Sequence, residues 1–402
     1  MQMKKSICQR RIHLLTAIAA VIAMGQACNA SPVEWPVERL FATPKVFAAE
    51  EYATNDVSVA FLEGLPWKGK ATRIFCYYGI PEHSGEEKVP AMVLVHGGGG
   101  SAFYRWVKFW NSRGYAAISM DTCGAISGNT HGDEQFEHLR HPYGGPAGWG
   151  GFDETAFPVE DQWLYHAVAD TIIAHSFLRS LEGVDAKHIG ITGVSWGAVI
   201  SLIAASIDER LSFCAPVYGC GGFLRNSPAW REELDKMGPM NARRWEELWD
   251  PLHYLGKIKM PVHWLAGTND RNFSLPALMA SYQTVKNEKS LSIRPELNHA
   301  HGAVSEEAID VTTWADFHLR NIPLPAAERA ELLHTLDNTD DWTERKWEVA
   351  PANLNGDIAI ASGIPSRAAA AFCNFHHSTG FVLTKPIPVE KSINNENNRK
   401  EK

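Results

Sequence analysis

The sequence predicts an α/β fold: a doubly wound, mostly parallel sheet carrying an inserted lid, followed by a small β-sandwich-like domain. Two observations predict it. Apolar runs at 91–95, 115–120, 188–193, 213–217, 261–266 and 290–295 alternate with helix-forming stretches, the rhythm that builds βαβ units with helices on both faces of one sheet. After Pro323 and Pro325 that rhythm stops, and short runs at 330–336, 346–349, 358–362, 369–375 and 380–384 are separated by turn residues. Such a pattern predicts a β unit over 326–390. With 402 residues and 45% hydrophobic content, the chain can bury one large core and a small extra domain.

Residues 1–30 read as an export signal. Lys4, Lys5, Arg10 and Arg11 form a basic start, 14–24 an apolar run too short to cross a bilayer, and Ala27-Cys28-Asn29-Ala30 a small-residue zone with cleavage expected after Ala30. Cys28 raises the possibility of a lipoprotein, but Gly25-Gln26-Ala27 lacks the aliphatic residue such signals carry. The mature protein is therefore expected in the periplasm or outside the cell, with no membrane span. The signal holds four basic residues and no acidic one, so its removal takes the formal charge from −8 to −12, which argues against a nucleic-acid partner. Five cysteines remain, Cys76, Cys123, Cys214, Cys220 and Cys373, an odd number without metal-ligand spacing. Cys214 paired with Cys220 and five buried thiols are the two alternatives.

In region 31–325, a leading segment precedes strands at 57–62 and 71–78. The longest helix is expected at 160–181, and 314–319 closes the last one. Two insertions interrupt the alternation. The first, 123–154, contains Gly144-Gly145-Pro146-Ala147-Gly148-Trp149-Gly150-Gly151, and long turn-rich loops at the strand ends shape sites. The second, 219–257, carries Trp230, Trp245 and Trp249 among helix formers and reads as the lid. Trp149 or Trp230 offers a flat face to a sugar ring, with plain packing as the alternative. Residues 391–402, rich in Asn, Glu and Lys, have the composition of a disordered tail.

The chemistry is concentrated at Gly193-Val194-Ser195-Trp196-Gly197, between a short strand and a helix former. A serine presented on a tight strand-to-helix turn needs small residues two before and two after it, because strand and helix pass closely there. Upstream, the strand at 91–95 opens into His96-Gly97-Gly98-Gly99-Gly100, whose backbone N–H groups can face a developing oxyanion together with that of Trp196. Gly98 is the glycine chosen from 97–100. Downstream, one strand runs into Gly267-Thr268-Asn269-Asp270 and the next into Leu297-Asn298-His299-Ala300-His301-Gly302. The order serine, acid, histidine, each at the end of a strand, is that of the α/β-hydrolase arrangement. A serine hydroxyl needs an imidazole to take its proton and a carboxylate to hold the imidazole. Ser195 is assigned as nucleophile, His299 as base and Asp270 as acid; His301 remains the alternative base. Asp310 and Asp316 fall on the terminal helix, after the histidine.

With these motifs and Ser101-Ala102-Phe103 after the glycine loop, residues 55–390 resemble the exported α/β-hydrolases of the acetyl xylan esterase-like and prolyl oligopeptidase-like group, related to dienelactone hydrolases. The resemblance takes in the C-terminal segment with Trp342, Arg345 and Trp347. It implies a serine esterase that removes a small acyl group, acetyl foremost, from a carbohydrate ester, with Ser195, Asp270 and His299 as triad and donors from Gly98 and Trp196. Trp196 departs from the group's pattern, standing where well-described acetyl esterases often have Gln. A peptidase or another carboxylic-ester hydrolase is the alternative within enzymes, and a glycan-binding pseudo-hydrolase the alternative outside them. No cofactor or metal is expected: the sequence has no H-E-x-x-H, no paired C-x-x-C and no strand-linked G-x-G-x-x-G.

Overall fold

The computed structural model describes residues 33–54, 56–82, 87–127, 138–297, 299–356, 358–360, 365 and 367–389. The expected export signal at 1–30 and the tail at 391–402 lie outside them. After a short helix, Val37–Phe41, come three antiparallel strands, β1 (Val46–Ala48), β2 (Ser58–Glu63) and β3 (Arg73–Gly79). Then comes the parallel part: β4 (Val89–Val95), helix α1 (Tyr104–Ser112) and β5 (Ala116–Met120). A separate hairpin of β6 (Ala125–Ser127) and β7 (His138–Arg140) belongs to the first insertion. Helix α2 (Trp163–Ser180) returns the chain to β8 (Val184–Val194), which runs into α3 (Trp196–Ile207) and β9 (Phe213–Val217).

Strand β4 and its neighbour β5 are apolar at consecutive positions, not alternate ones, because helices cover both faces of the sheet; Ala91 to Val95 are fully buried. Helix α2 likewise is buried on nearly every side, from Trp163 to Leu178, so it reads in sequence as an unbroken apolar run rather than a striped helix. The second insertion is helical: α4 (Arg231–Trp249) bends at Gly238, φ 69°, just before Pro239. Proline at that position removes an intrahelical donor, which accounts for the break. The core resumes with β10 (Val262–Gly267), α5 (Leu275–Thr284), β11 (Lys289–Arg294) and α6 (Ile309–Arg320).

The C-terminal strands are β12 (Ala327–Thr335), β13 (Glu348–Asn355), β14 (Ile358–Ile360), β15 (Ala370–His377) and β16 (Val382–Ile387). They lie where short β runs are expected, but they form one sheet with the core rather than two facing layers of their own. Among the described residues the fourteen-stranded order is β1-β2-β3-β5-β4-β8-β9-β10-β11-β16-β15-β12-β13-β14, and residues 36–402 make one compact unit. The joint is β16 antiparallel to β11, with Leu291 opposite Thr384. Asn374 seals it: its amide donates to the Ile293 carbonyl at 3.0 Å, while Thr384 Oγ1 donates to Asn374 Oδ1 at 2.7 Å and accepts from Ile293 N at 2.8 Å. Buried polar groups satisfied in this way hold the register of the joint. Trp342 and Trp347 fall outside the strands: Trp342 opens a 3₁₀ turn, Trp342–Glu344, and Trp347 precedes β13.

All five described cysteines are free thiols. Four are buried, Cys214 and Cys220 among them, so the alternative of a Cys214–Cys220 bridge gives way to packing.

Candidate active site

In the parallel sheet the strand order turns back at β4, which has β5 on one side and β8 on the other. The loops leaving the ends of β4 and β8 therefore diverge and open a crevice, the place where α/β sheets bind ligands. Register brings the two loops together: Val95 pairs with Gly193, so the glycine loop starts beside the elbow.

Ser195 has φ 58° and ψ −116°. A non-glycine residue there stores on the order of 1–3 kcal/mol of strain. The surrounding hydrogen bonds hold it: Ser195 N donates to the Val217 carbonyl at 2.9 Å, and the Ser195 carbonyl accepts from Ala198 N at 2.9 Å. The flanking glycines are steric necessities. A Cβ on Gly193 would lie 2.2 Å from the Gly197 carbonyl oxygen, and one on Gly197 would lie 2.0 Å from the Val95 carbonyl oxygen.

His299 Nε2 is 3.0 Å from Ser195 Oγ, and His299 Nδ1 is 2.7 Å from Asp270 Oδ2. A carboxylate only accepts, so Nδ1 carries the proton and Nε2 is left to accept from the serine hydroxyl. Asp270 is buried at 4% exposure, and its other oxygen accepts from Asn272 N at 2.7 Å and Phe273 N at 3.0 Å. The carboxylate is thus aimed at the imidazole by its own turn. The imidazole also has two aromatic neighbours. Tyr218 sits at 4.8 Å between centroids, and Phe273 is nearly parallel to it at 6.1 Å. Burial pushes the Tyr218 phenol up, so this neighbour stays neutral. Tyr218 also has positive φ, 55°; a bulky residue in that region marks a second strained position at the site.

His301, two residues on, points elsewhere. Its Nδ1 is 3.1 Å from Glu306 Oε1, and its ring packs edge-on to Phe103 at 5.4 Å. A Cβ on Gly97 would lie 2.9 Å from its Nε2 and 3.0 Å from Ser195 Cβ, which places the ring against Gly97 on the side of the elbow. Asn298 lies outside the described residues.

The glycine loop is held by His96. Thr122 N donates to His96 Nε2 at 3.0 Å, which leaves the proton on Nδ1, and Nδ1 donates to the Gly97 carbonyl at 2.8 Å. Gly100 N donates to the same carbonyl at 3.0 Å. Because a trans peptide sets C=O and N–H on opposite sides, fixing the Gly97 carbonyl turns the Gly98 N–H away from His96. Trp196 is the first residue of α3, where a helix has no internal partner for its N–H. The Trp196 ring closes on the loop: a Cβ on Gly98 would lie 2.8 Å from Trp196 Cδ1. That ring is packed edge-on by Trp163 at 5.7 Å, Phe223 at 5.5 Å and Trp230 at 5.4 Å. Sequence reasoning placed the Trp196 N–H but not this role of its ring, for which the aromatic-rich lid was the available signal.

Of the lid tryptophans, Trp245 and Trp249 are fully buried; they donate to the Gly150 carbonyl and to Gln162 Oε1, each at 2.7 Å. Trp245 thus ties the lid to the first insertion and Trp249 ties it to the start of α2, and neither can face a sugar. Trp149 is 37% exposed. Cys123 lies near the loop, with its thiol on the Gly148 carbonyl at 3.3 Å. Burial holds its pKa well up, so it is no competing nucleophile. Among the described residues no cluster of His, Cys, Asp and Glu is arranged to hold a metal ion, and no helix is long and apolar enough to cross a membrane.

A solved acetyl xylan esterase from Paenibacillus sp. R4 superposes with a TM-score of 0.54 at 21% identity, over 70% of this chain and 92% of that one. The chain has the α/β-hydrolase fold. Residues 46–226 match the acetyl xylan esterase family (AXE1), and residues 230–340 match the PhoPQ-activated pathogenicity-related proteins. Acetyl esterase Axe7A of Xylanibacter ruminicola is 23% identical over 208 residues, 49% of this chain and 46% of that protein. The acylamino-acid-releasing enzyme of Rattus norvegicus is 23% identical over 255 residues, 58% of this chain and 32% of that protein. The chain therefore spans less than half the length of either relative.

Proposed function

We propose that this hydrolase is a serine esterase that removes a small acyl group, acetyl foremost, from a carbohydrate ester. The observation that carries the proposal is the hydrogen-bonded line from Ser195 Oγ through His299 to Asp270. The acyl and alcohol halves rest on the match of residues 46–226 to the acetyl xylan esterase family. Ser195 Oγ attacks the ester carbonyl while His299 Nε2 takes its proton. The carbonyl oxygen gains the negative charge and is met by the N–H groups of Gly98 and Trp196. The tetrahedral species collapses, the C–O bond to the sugar breaks, and His299 returns its proton to the departing alkoxide. Water, deprotonated by His299, then attacks the acyl-enzyme and releases the carboxylic acid and Ser195.

Acetate release from acetylated xylan, against turnover of an aryl acetate and of an acylated peptide anilide, tests the assignment. Release from the polysaccharide with an inert anilide supports it. The reverse pattern favours the peptidase reading, for which the likeness to the acylamino-acid-releasing enzyme speaks. Export belongs to the same proposal: the mature protein, recovered from periplasm or medium, should begin at Ser31. An N-terminus still at Met1 overturns it.

Amidation of the acid should separate orientation from bulk. In Asp270→Asn the side-chain carbonyl is kept in place by Asn272 N and Phe273 N, so the amide NH₂ faces His299 Nδ1. That forces the proton onto Nε2 and removes the base. We expect kcat on an aryl acetate to fall by about 10⁴-fold with the fold intact, the loss seen for this change in another triad. A loss below about tenfold would mean that another carboxylate holds the imidazole.

A further inference from the structure

The residue before the catalytic-site acid carries more than a turn. Asn269 Nδ2 donates to two carbonyls of the C-terminal segment, Thr343 at 2.9 Å and Arg345 at 3.0 Å. Its Oδ1 accepts from Thr268 Oγ1 at 2.5 Å. Thr268 Oγ1 in turn accepts from Glu296 N at 3.0 Å, on the loop that leads to His299. An asparagine amide has two N–H donors and one carbonyl acceptor, and all are used here: the donors on the C-terminal turn, the acceptor on Thr268, which relays to the histidine loop.

The receiving turn is itself rigid. Asp341 Oδ1 accepts from Thr343 N at 3.0 Å and Thr343 Oγ1 at 2.6 Å. Arg345, only 8% exposed, donates through Nε and Nη2 to the Thr339 carbonyl at 3.0 and 2.7 Å, and its guanidinium lies 3.7 Å from the Trp342 ring centroid. A buried arginine held by hydrogen bonds at its edge and a ring on its face makes a firm platform. The platform is continuous with strands that are hydrogen-bonded to β11, the strand that delivers the histidine loop.

We infer that Asn269 is a positioning residue: it ties the acid loop and the histidine loop to the C-terminal turn, so that the C-terminal strands set the geometry of the triad. These strands are a support of the active site, not an appended glycan-binding module. The inference rests on the triad reading above. A misplacement of about 1 Å in a catalytic group costs on the order of 10²-fold in rate, and the support should act on kcat and leave substrate binding alone.

The test uses the full chain with Asn269→Ala and Asn269→Asp. The aspartate is isosteric but turns a carboxylate oxygen on the two carbonyls. Both variants should fold, since Asn269 is half-buried, and this is checked by near-UV circular dichroism and thermal unfolding. We expect kcat on an aryl acetate to drop about 10–100-fold with KM within about twofold, Asn269→Asp being the worse. The low-field proton resonance of the His299–Asp270 hydrogen bond should shift or broaden in both. Wild-type kcat in both variants overturns the inference, as does a loss that only follows the fraction unfolded while the resonance is unchanged. Ser195→Ala is assayed alongside. If it keeps activity, the triad reading fails and the inference fails with it; if it is inert while the Asn269 variants are unimpaired, only the coupling fails.

Discussion

Ser195→Ala is expected to lower kcat on an aryl acetate by about 10⁶-fold, the scale on which removing the nucleophile of a serine triad acts. The hydroxyl has an imidazole nitrogen at 3.0 Å to take its proton, and Cys123 is kept protonated by burial. The elbow geometry adds a second measurement. Alanine keeps the strained φ of 58°, whereas glycine adopts that region freely. Ser195→Gly should therefore be as inactive as Ser195→Ala but more stable than it, by up to about 1–3 kcal/mol. Activity near wild type in purified Ser195→Ala would overturn the nucleophile assignment. Equal stability of the two variants would mean that the elbow stores no strain.

What could be read from the sequence follows from how local each signal is. The elbow was legible because Gly193 and Gly197 are demanded by contacts within a few residues and one adjacent strand. Strand β9, expected at 213–217, has those bounds, since a strand buried on both faces is a short apolar run between turns. Asp270 and His299 were legible through their place after a strand, a rule of topology that needs no partner. Asn269 was not. As a polar residue in a Gly-Thr-Asn-Asp turn it has a sufficient local explanation, and the carbonyls it binds are 74 and 76 residues away. The same limit applies to the C-terminal strands. Their existence is written in alternation and turn residues, but the pairing of Leu291 with Thr384 depends on which sheet edge is open. No local pattern records that.

His299→Ala should cost about as much as loss of the serine, roughly 10⁶-fold in kcat, and His301→Ala far less. Sequence alone left these two open because both follow the last core strand, with one residue between them. The structure separates them by what each faces. His299 has the serine on Nε2, the acid on Nδ1, and the Tyr218 and Phe273 rings beside it. An imidazole so held is in the one tautomer that can accept a proton, and has no freedom to turn away. His301 instead has Nδ1 on Glu306, whose same oxygen accepts from Gly302 N at 3.1 Å. Helix α1 is tied to that segment through Trp106 Nε1, which donates to the Glu306 carbonyl at 2.7 Å. Removing the His301 ring leaves the proton path intact but takes a packing partner from beside Gly97. A loss of no more than about tenfold is expected, the size of a small disturbance in oxyanion geometry rather than the loss of a whole donor, which costs about 10²–10³. The two alanine variants, assayed on one aryl acetate at one pH, decide the matter by rank. If His301→Ala is the more damaging, the base is His301 and the hydrogen bond at His299 Nε2 serves only to orient the serine.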